Sequence, residues 1–457
     1  MGWISTLSTL ALMSTLPLTT AWEAGLSVNT TSGAVRGIYL ENTQQVRAFL
    51  GIPYAEAPAG DLRWAPPERK RHAKSVLDAT AFGSRCPQTE ILINTTSEDC
   101  LSINIWTPSP RRLTKPAAVM LYIHGGGYIV GSGREELYHG LNIVRDHEDV
   151  IVVTFNYRLG IFGFPNAPSL KADGQNLGLL DQRLAVEWVA DNIANFGGDP
   201  DRITLFGESA GASSTDLYSF AYYRDPIVRA AILQSGTNRL LVNNETDHHS
   251  WRQLAQKVGC AAQDMQCMRK VPRSHLIDAF DVIESRFLPV EDNVLVFENY
   301  TERAKQGQLA KIPTLIGSNS DEMAENPRLT SLVFTCPAQQ GAEYRVQNNI
   351  PAWLYLYHGN FDGNGATHGS EIPLVFGTYT SPTLEETLAS KYIQSAWVSF
   401  ARNPSSLSTD YKWPLYRDGK MTELAPDNRA LPDFTLNNGT KLVCQLLGMP
   451  ITSMALP

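Results

Sequence analysis

Apolar residues along this chain fall into two alternating kinds of run. Ala117 to His124 and Val150 to Asn156 are short, almost uniformly apolar and rich in β-branched residues, the pattern of strands buried on both faces. Arg202 to Phe206, Ile312 to Gly317 and Trp353 to Tyr357 also read as strands. Leu177 to Asn195 has helical spacing instead: Leu177, Leu180, Leu184, Trp188 and Ile193 fall on one face, and Gly197-Gly198 ends it. Strand-like runs alternating with helix-like ones predict an α/β architecture, a mostly parallel central sheet with helices on both faces. No repeat or low-complexity linker breaks the pattern, so residues 22–457 are expected to form a single domain.

The N-terminus follows a different pattern. Trp3 to Leu18 carries no charge and is rich in Leu, Thr and Ala, and Thr19-Thr20-Ala21 places small residues where a signal peptidase inspects them. Residues 1–21 are therefore expected to be a secretory signal peptide. Five Asn-x-Ser/Thr sequons, at Asn29, Asn94, Asn244, Asn299 and Asn438, fit an extracellular glycoprotein. No later stretch is long and apolar enough to span a bilayer, and no lipid-anchor tail is found, so no membrane anchor is expected.

Composition narrows the functional classes. The net charge of -8 comes with no Lys/Arg-rich run, which argues against nucleic acid as a partner. Six cysteines form an even set: Cys86, Cys100, Cys260, Cys267, Cys336 and Cys444. No Cys-x-x-Cys occurs and His248-His249 is isolated from other ligands, so neither a metal nor another cofactor is expected. In an oxidising compartment the near neighbours pair most simply as Cys86–Cys100 and Cys260–Cys267, with Cys336 and Cys444 remaining. Six cysteines allow about fifteen connectivities, so sequence leaves the choice open.

The candidate chemistry centres on Gly207-Glu208-Ser209-Ala210-Gly211. A serine on a sharp strand-to-helix turn has strained backbone angles, and glycines two positions away on either side supply the clearance it needs. The bare pattern would occur by chance in roughly one chain in six, so it needs partners. For a nucleophile on this kind of elbow the usual chain order is serine, acid, histidine. Only His358 and His368 lie far enough downstream, and His368 is favoured because its loop, Gly365 to Gly369, can bring an imidazole to the strand ends. Asp321 and Glu322, after a polar turn Ser318-Asn319-Ser320, are candidate acids, whereas Asp362 suits a turn better. His124-Gly125-Gly126-Gly127 follows a strand, and its amides together with that of Ala210 could cradle an oxyanion.

Further segments carry a family resemblance. They are Phe49-Leu50-Gly51-Ile52-Pro53-Tyr54-Ala55, Glu98-Asp99-Cys100-Leu101, His124-Gly125-Gly126-Gly127 and Asn156-Tyr157-Arg158-Leu159-Gly160, then Asn176 to Gln182, the Ser209 elbow, Gln234-Ser235-Gly236 and His368-Gly369-Ser370-Glu371-Ile372-Pro373. In this order, from about Gly37 to about Thr378, the chain resembles the type-B carboxylesterase family, which includes cholinesterases, fungal lipases and neuroligin-like adhesion proteins. The resemblance implies an α/β-hydrolase fold and a serine carboxylic ester hydrolase acting on a small-molecule ester. It implies Ser209 as nucleophile, Glu322 rather than Asp321 as acid, and His368 as base. Gly126, Gly127 and Ala210 match the oxyanion donors, and Glu208 and Ser235 match positions that brace the triad. The first two disulfide pairs match as well.

Departures from the family refine this expectation. Only 13 residues separate Cys86 from Cys100, too few for the long lid of lipases in this family, and this loop lacks the tryptophan of a choline-stacking site. Relatives usually insert more chain between the acid and the histidine than this sequence does, which implies a reduced cap region and a more open site. Met323 follows the acid where many relatives have glycine. Two other functions remain: acyl transfer to an alcohol other than water, and a catalytically silent adhesion or binding ectodomain. The second conflicts with a complete candidate triad and no anchor.

Overall fold

The computed structural model describes residues 25–40, 44–88, 95–243, 245, 247–283, 287–324 and 326–448. The expected signal peptide and the sequons at Asn94 and Asn244 lie outside the described residues.

Among the described residues, fourteen strands run in chain order as β1 (Ser27–Thr30), β2 (Gly33–Arg36), β3 (Ile38–Leu40), β4 (Val46–Pro53), β5 (Leu77–Asp78), β6 (Ser102–Pro108), β7 (Ala117–Ile123), β8 (Val150–Phe155), β9 (Gly198–Glu208), β10 (Ala230–Gln234), β11 (Thr314–Asn319), β12 (Ala352–Tyr357), β13 (Lys420–Leu424) and β14 (Asp433–Leu436). β1, β2 and β5 form a small separate sheet. The other eleven form one sheet ordered β14-β13-β12-β11-β10-β9-β7-β8-β6-β4-β3. From β13 to β8 every pairing is parallel, while β14 and the β6-β4-β3 end are antiparallel. Every residue of β7, β8 and β10 is buried, as parallel strands covered on both faces require.

Within the uniformly apolar runs, the two-residue period sorts side chains into two cores. Val119, Leu121, Ile151, Val153, Ile203 and Leu205 face a layer with Trp188, Phe196, Leu217 and Phe220, carried by the segment Leu177–Phe196 and the helix Ala210–Ala221. Met120, Tyr122, Val152, Phe206 and Ile232 face Ile393, Trp397 and Phe400 of the helix Leu384–Arg402. That helix starts on Thr383, whose hydroxyl accepts from the Glu386 N–H.

The structure corrects three local expectations. The helix Leu177–Asn192 is buried on more than one side: Leu179, Val186 and Val189 are buried, whereas Leu180 is only half-buried. It is clamped between the sheet and further structure rather than lying on a surface, so a single apolar face understates its contacts. The strand expected from Ile312 begins instead at Thr314, because Pro313 has no N–H for the ladder. Ser318 and Asn319 are not in a turn but extend β11 beside Leu356 and Tyr357 of β12. Gly197, by contrast, ends its helical segment in the left-handed conformation (φ 96°), as the pattern suggested.

All six cysteines are bonded, as Cys86–Cys100, Cys260–Cys267 and Cys336–Cys444. Two family segments prove to be structural. Arg158 makes a buried two-pronged ion pair with Asp181, at 2.8 and 2.7 Å. The Asn156 amide accepts from Ser132 Oγ and Gly133 N–H and donates to the carbonyls of Ser84 and Cys100, tying the loop after β7 to the Cys86–Cys100 region.

Candidate active site

β7, β9, β10, β11 and β12 are adjacent and parallel, so their carboxyl ends open on one edge of the sheet, where α/β proteins build their sites. Ser209 follows β9 at once. Its φ of 55° and ψ of −122° lie outside the regions that side-chain-bearing residues prefer, a strain worth about 1–3 kcal/mol. The turn is held by the Ser209 N–H donating to Gln234 O at 2.9 Å and by the Ser213 N–H donating to Ser209 O at 2.9 Å. The spacing of the glycines now has a mechanical reason. A Cβ on Gly207 would come 2.5 Å from the Gly211 carbonyl carbon and 2.7 Å from Ile123 O, and one on Gly211 would collide with the same Ile123 carbonyl. Strand, turn and helix thus pack backbone to backbone.

Glu322 and His368 come together from separate loops. His368 Nδ1 lies 2.5 Å from Glu322 Oε2, and Glu322 Oε1 accepts from the Asn319 N–H at 2.8 Å. Glu322 is buried, whereas Asp321 points to the surface and accepts from Ser320 Oγ and the Ala366 N–H. Met323 is tolerated beside Glu322 because its side chain is exposed (43%) while its N–H donates to Thr330 Oγ1. Asp362 serves a turn with Asn364, and His358 lines a separate polar cavity with Asn360 and Asp427.

His368 Nε2 lies 3.2 Å from Glu208 Oε1, and no hydrogen bond joins it to Ser209 Oγ among the described residues. About a third of the imidazole surface is exposed (34%). Partial burial disfavours the imidazolium, but the bond to Glu322 and the charges of Glu208, Glu322 and Glu371 outweigh it, raising His368 to about 9. Burial raises Glu208 to about 8, against the pull of His368. Glu208 and His368 therefore titrate as partners.

The glycine loop after β7 closes the other side. Gly126 and Gly127 take φ of 100° and 64°, and a Cβ on Gly126 would strike the Val130 carbonyl. Gly125 passes closest to the elbow: its Cβ would lie 2.7 Å from Glu208 Oε2 and 3.2 Å from Ser209 Cβ. Ala210 is the first residue of its helix, so its N–H has no intrahelical acceptor. Gln88 braces this loop through both ends of its amide, donating to Gly131 O and accepting from Gly131 N–H, each at 3.0 Å. His124 is buried and stacked on Tyr157, and burial lowers it to about 4, so it stays neutral here.

Sequence reasoning missed several residues at the site. Glu371, three positions after His368, is buried and raised by burial; it accepts from Gln234 Nε2 at 2.9 Å and Asn319 Nδ2 at 2.7 Å. Gln234 in turn accepts from Trp397 Nε1 at 3.1 Å. Phe334 lies with its ring centroid 4.9 Å from that of His368. The three-residue spacing of Glu371 from His368 was visible, but nothing in the sequence marked Trp397 or Phe334. Ser235 is buried with φ 55°, and its Oγ has no hydrogen-bond partner among the described residues. The carbonyl of its neighbour Gln234 holds the elbow instead.

The parallel sheet flanked by helices, with a strained strand-to-helix turn at its carboxyl edge, defines an α/β-hydrolase. Comparison with known proteins makes this specific. The model of the carboxylesterase family matches residues 24–330 and 327–440, two stretches that meet between Glu322 and His368. A chlorogenic acid esterase of Aspergillus niger is 38% identical over 430 residues, covering 83% of each chain. Secreted lipase 5 of Gibberella zeae is 35% identical, covering 89% of this chain and 91% of its own. Among solved structures, a Geobacillus stearothermophilus carboxylesterase superposes with a TM-score of 0.80 at 28% identity, over 92% of this chain and 99% of that one. A PNB esterase does so with a TM-score of 0.80 at 30% identity, over 92% and 100%. The chain belongs to the carboxylesterase family and is a carboxylic ester hydrolase.

Proposed function

We propose that this protein is a secreted serine esterase that cleaves soluble carboxylic esters through an acyl-enzyme. The observation that carries this reading is the 2.5 Å contact of Glu322 with His368 at the carboxyl edge where Ser209 occupies its strained turn. In this mechanism His368 Nε2 leaves Glu208, takes the Ser209 proton, and the serine oxygen attacks the ester carbonyl. The N–H groups of Gly126, Gly127 and Ala210 hold the oxyanion, each donor worth about 3 kcal/mol in the transition state. His368 then protonates the departing alcohol, and water releases the acyl group by the same route. Glu322 keeps the imidazole oriented and balances its charge.

The short Cys86–Cys100 loop and the compact interval after Glu322 favour soluble esters over oil droplets. Among the described residues, that interval contains a short helix, one π-helical turn, the helix Cys336–Gln347 and β12 before the histidine loop. Secretion is supported by three disulfides and by a relative named as a secreted lipase. Asn29, Asn299 and Asn438 are exposed, as glycosylation requires, and residues 22–457 act as one catalytic domain.

The test is a panel of chromogenic esters of graded acyl length, hydroxycinnamoyl esters of the chlorogenic type and a triglyceride emulsion. Hydrolysis of the soluble esters, with stoichiometric labelling of Ser209 by a phosphonate, is expected. A folded protein that turns over none of them, or is labelled elsewhere, would defeat the proposal.

A pH prediction follows from the raised histidine. The base must be neutral to act, so kcat/KM is expected to rise through neutrality towards pH 9. Removing the neighbouring negative charge in Glu208→Gln should move this limb to lower pH, since Glu208 helps to hold the proton on His368. A limb that stays put in the variant would mean that Glu208 does not set the titration. Stability runs the opposite way for His368: its contribution is complete below about 6.5, its ordinary value, and is lost as pH rises through about 9.

A further inference from the structure

We propose that Phe334 is a positioning residue for the reaction, holding the His368 ring in its working orientation and favouring the imidazolium that forms when Ser209 gives up its proton. The inference rests on the triad reading above. Glu322 fixes only one edge of the imidazole, through Nδ1. The opposite nitrogen has two destinations, Glu208 and Ser209, so the ring must be able to pivot without swinging out toward solvent. Phe334 meets this need from the side. Its ring is buried, tilted 46° to the imidazole, with centroids 4.9 Å apart. That distance lies within the range at which an aromatic face attracts a cation.

The segment that carries Phe334 is built to hold it there. Phe334 sits in a single π-helical turn, Ser331–Thr335, between the helices Pro327–Thr330 and Cys336–Gln347. Single π-turns inside helices occur frequently at functional sites. The turn is tied to the acid's own strand and loop at both ends: the Met323 N–H donates to Thr330 Oγ1 at 3.1 Å, and Ser318 Oγ to Thr335 Oγ1 at 3.3 Å. The next residue, Cys336, is bonded to Cys444. Because the interval from Glu322 to His368 is short, the acid, the aromatic ring and the base form one connected unit.

The charged groups facing His368 are Glu322, Glu208 and Glu371, and Phe334 is the aromatic ring against it. Replacing Phe334 with leucine keeps the bulk but removes the π face, whereas tyrosine keeps the face. With a soluble chromogenic ester, Phe334→Leu is expected to lower kcat by about 3- to 10-fold with little change in KM, and to move the acid limb of the pH profile to lower pH. Phe334→Tyr should stay close to wild type in both. Melting temperatures of both variants separate a loss of fold from a loss of positioning. If Phe334→Leu keeps kcat within twofold of wild type and an unmoved pH limb, or if Phe334→Tyr is as impaired as Phe334→Leu, the inference is overturned. Phosphonate labelling of the wild type runs alongside. Label at Ser209 together with an unaffected Phe334→Leu removes this inference alone, whereas a wild type that is neither labelled nor active removes the triad reading and this inference with it.

Discussion

Ser209→Ala is expected to lose roughly 10⁶-fold in kcat while its melting temperature stays close to that of the wild type. The loss is large because the other members of a serine–histidine–acid unit have nothing to act on once the hydroxyl is gone; the residual rate comes from substrate binding and the oxyanion donors. Stability should barely change, since the alanine keeps the Cβ and hence the same strain at φ 55° and ψ −122°. Ser209→Gly makes the complementary measurement. It should be equally inactive but about 1 kcal/mol more stable than Ser209→Ala, because glycine occupies positive φ without a steric penalty. Activity on a chromogenic ester and thermal denaturation of the three proteins check both halves. Retained turnover in Ser209→Ala would remove this serine from the chemistry, and a glycine variant no more stable than the alanine one would remove the strain.

The second large effect is on folding. Gly211→Ala should cost about 3 kcal/mol or more, since its Cβ falls on the Ile123 carbonyl oxygen, 2.8 Å from that carbonyl's carbon and 3.1 Å from the carbonyl carbon of His124. The neighbours are all backbone, so none can turn aside as a side chain would. Either the helix Ala210–Ala221 lifts away from β7 or the chain after β7 is displaced, and both move the glycine loop away from Ser209. Activity should therefore fall along with stability. Gly174→Ala is the control: nothing lies within 4 Å of its Cβ direction, so the change should be within about 0.5 kcal/mol. A Gly211→Ala protein that melts with the wild type would show that the packing at the elbow has slack.

How far the sequence revealed this molecule depended on whether a feature was local. Uniform apolar runs gave β7 and β8 to within a residue, and the glycines around Ser209 marked a turn that the packing against Ile123 explains. The start of β11 was misplaced because hydrophobicity at Ile312 said strand while Pro313 denied it the ladder. The choice of Glu322 over its neighbour came only through family likeness. The physical difference, one carboxylate buried under Asn319 and the other turned outward to Ser320, depends on how the chain leaves β11. Trp397 and Phe334 were beyond local reading, and so was the role of Glu371, although its spacing from His368 was visible. Each takes its role from a partner far away in the chain: Trp397 meets Gln234, 163 positions earlier, and Glu371 meets the same glutamine across 137.

The Cys336–Cys444 bond has one more consequence. It closes 108 positions of sequence into a covalent ring that contains β12, the histidine loop, the helix Leu384–Arg402, β13 and β14. A protease that cuts an exposed stretch inside the ring, such as the one at Ser381–Pro382, opens the ring without releasing a fragment, because both new ends remain joined through the sulfurs. The helix Leu384–Arg402 and His368 therefore stay with the molecule after a single nick, a useful property in surroundings rich in proteases.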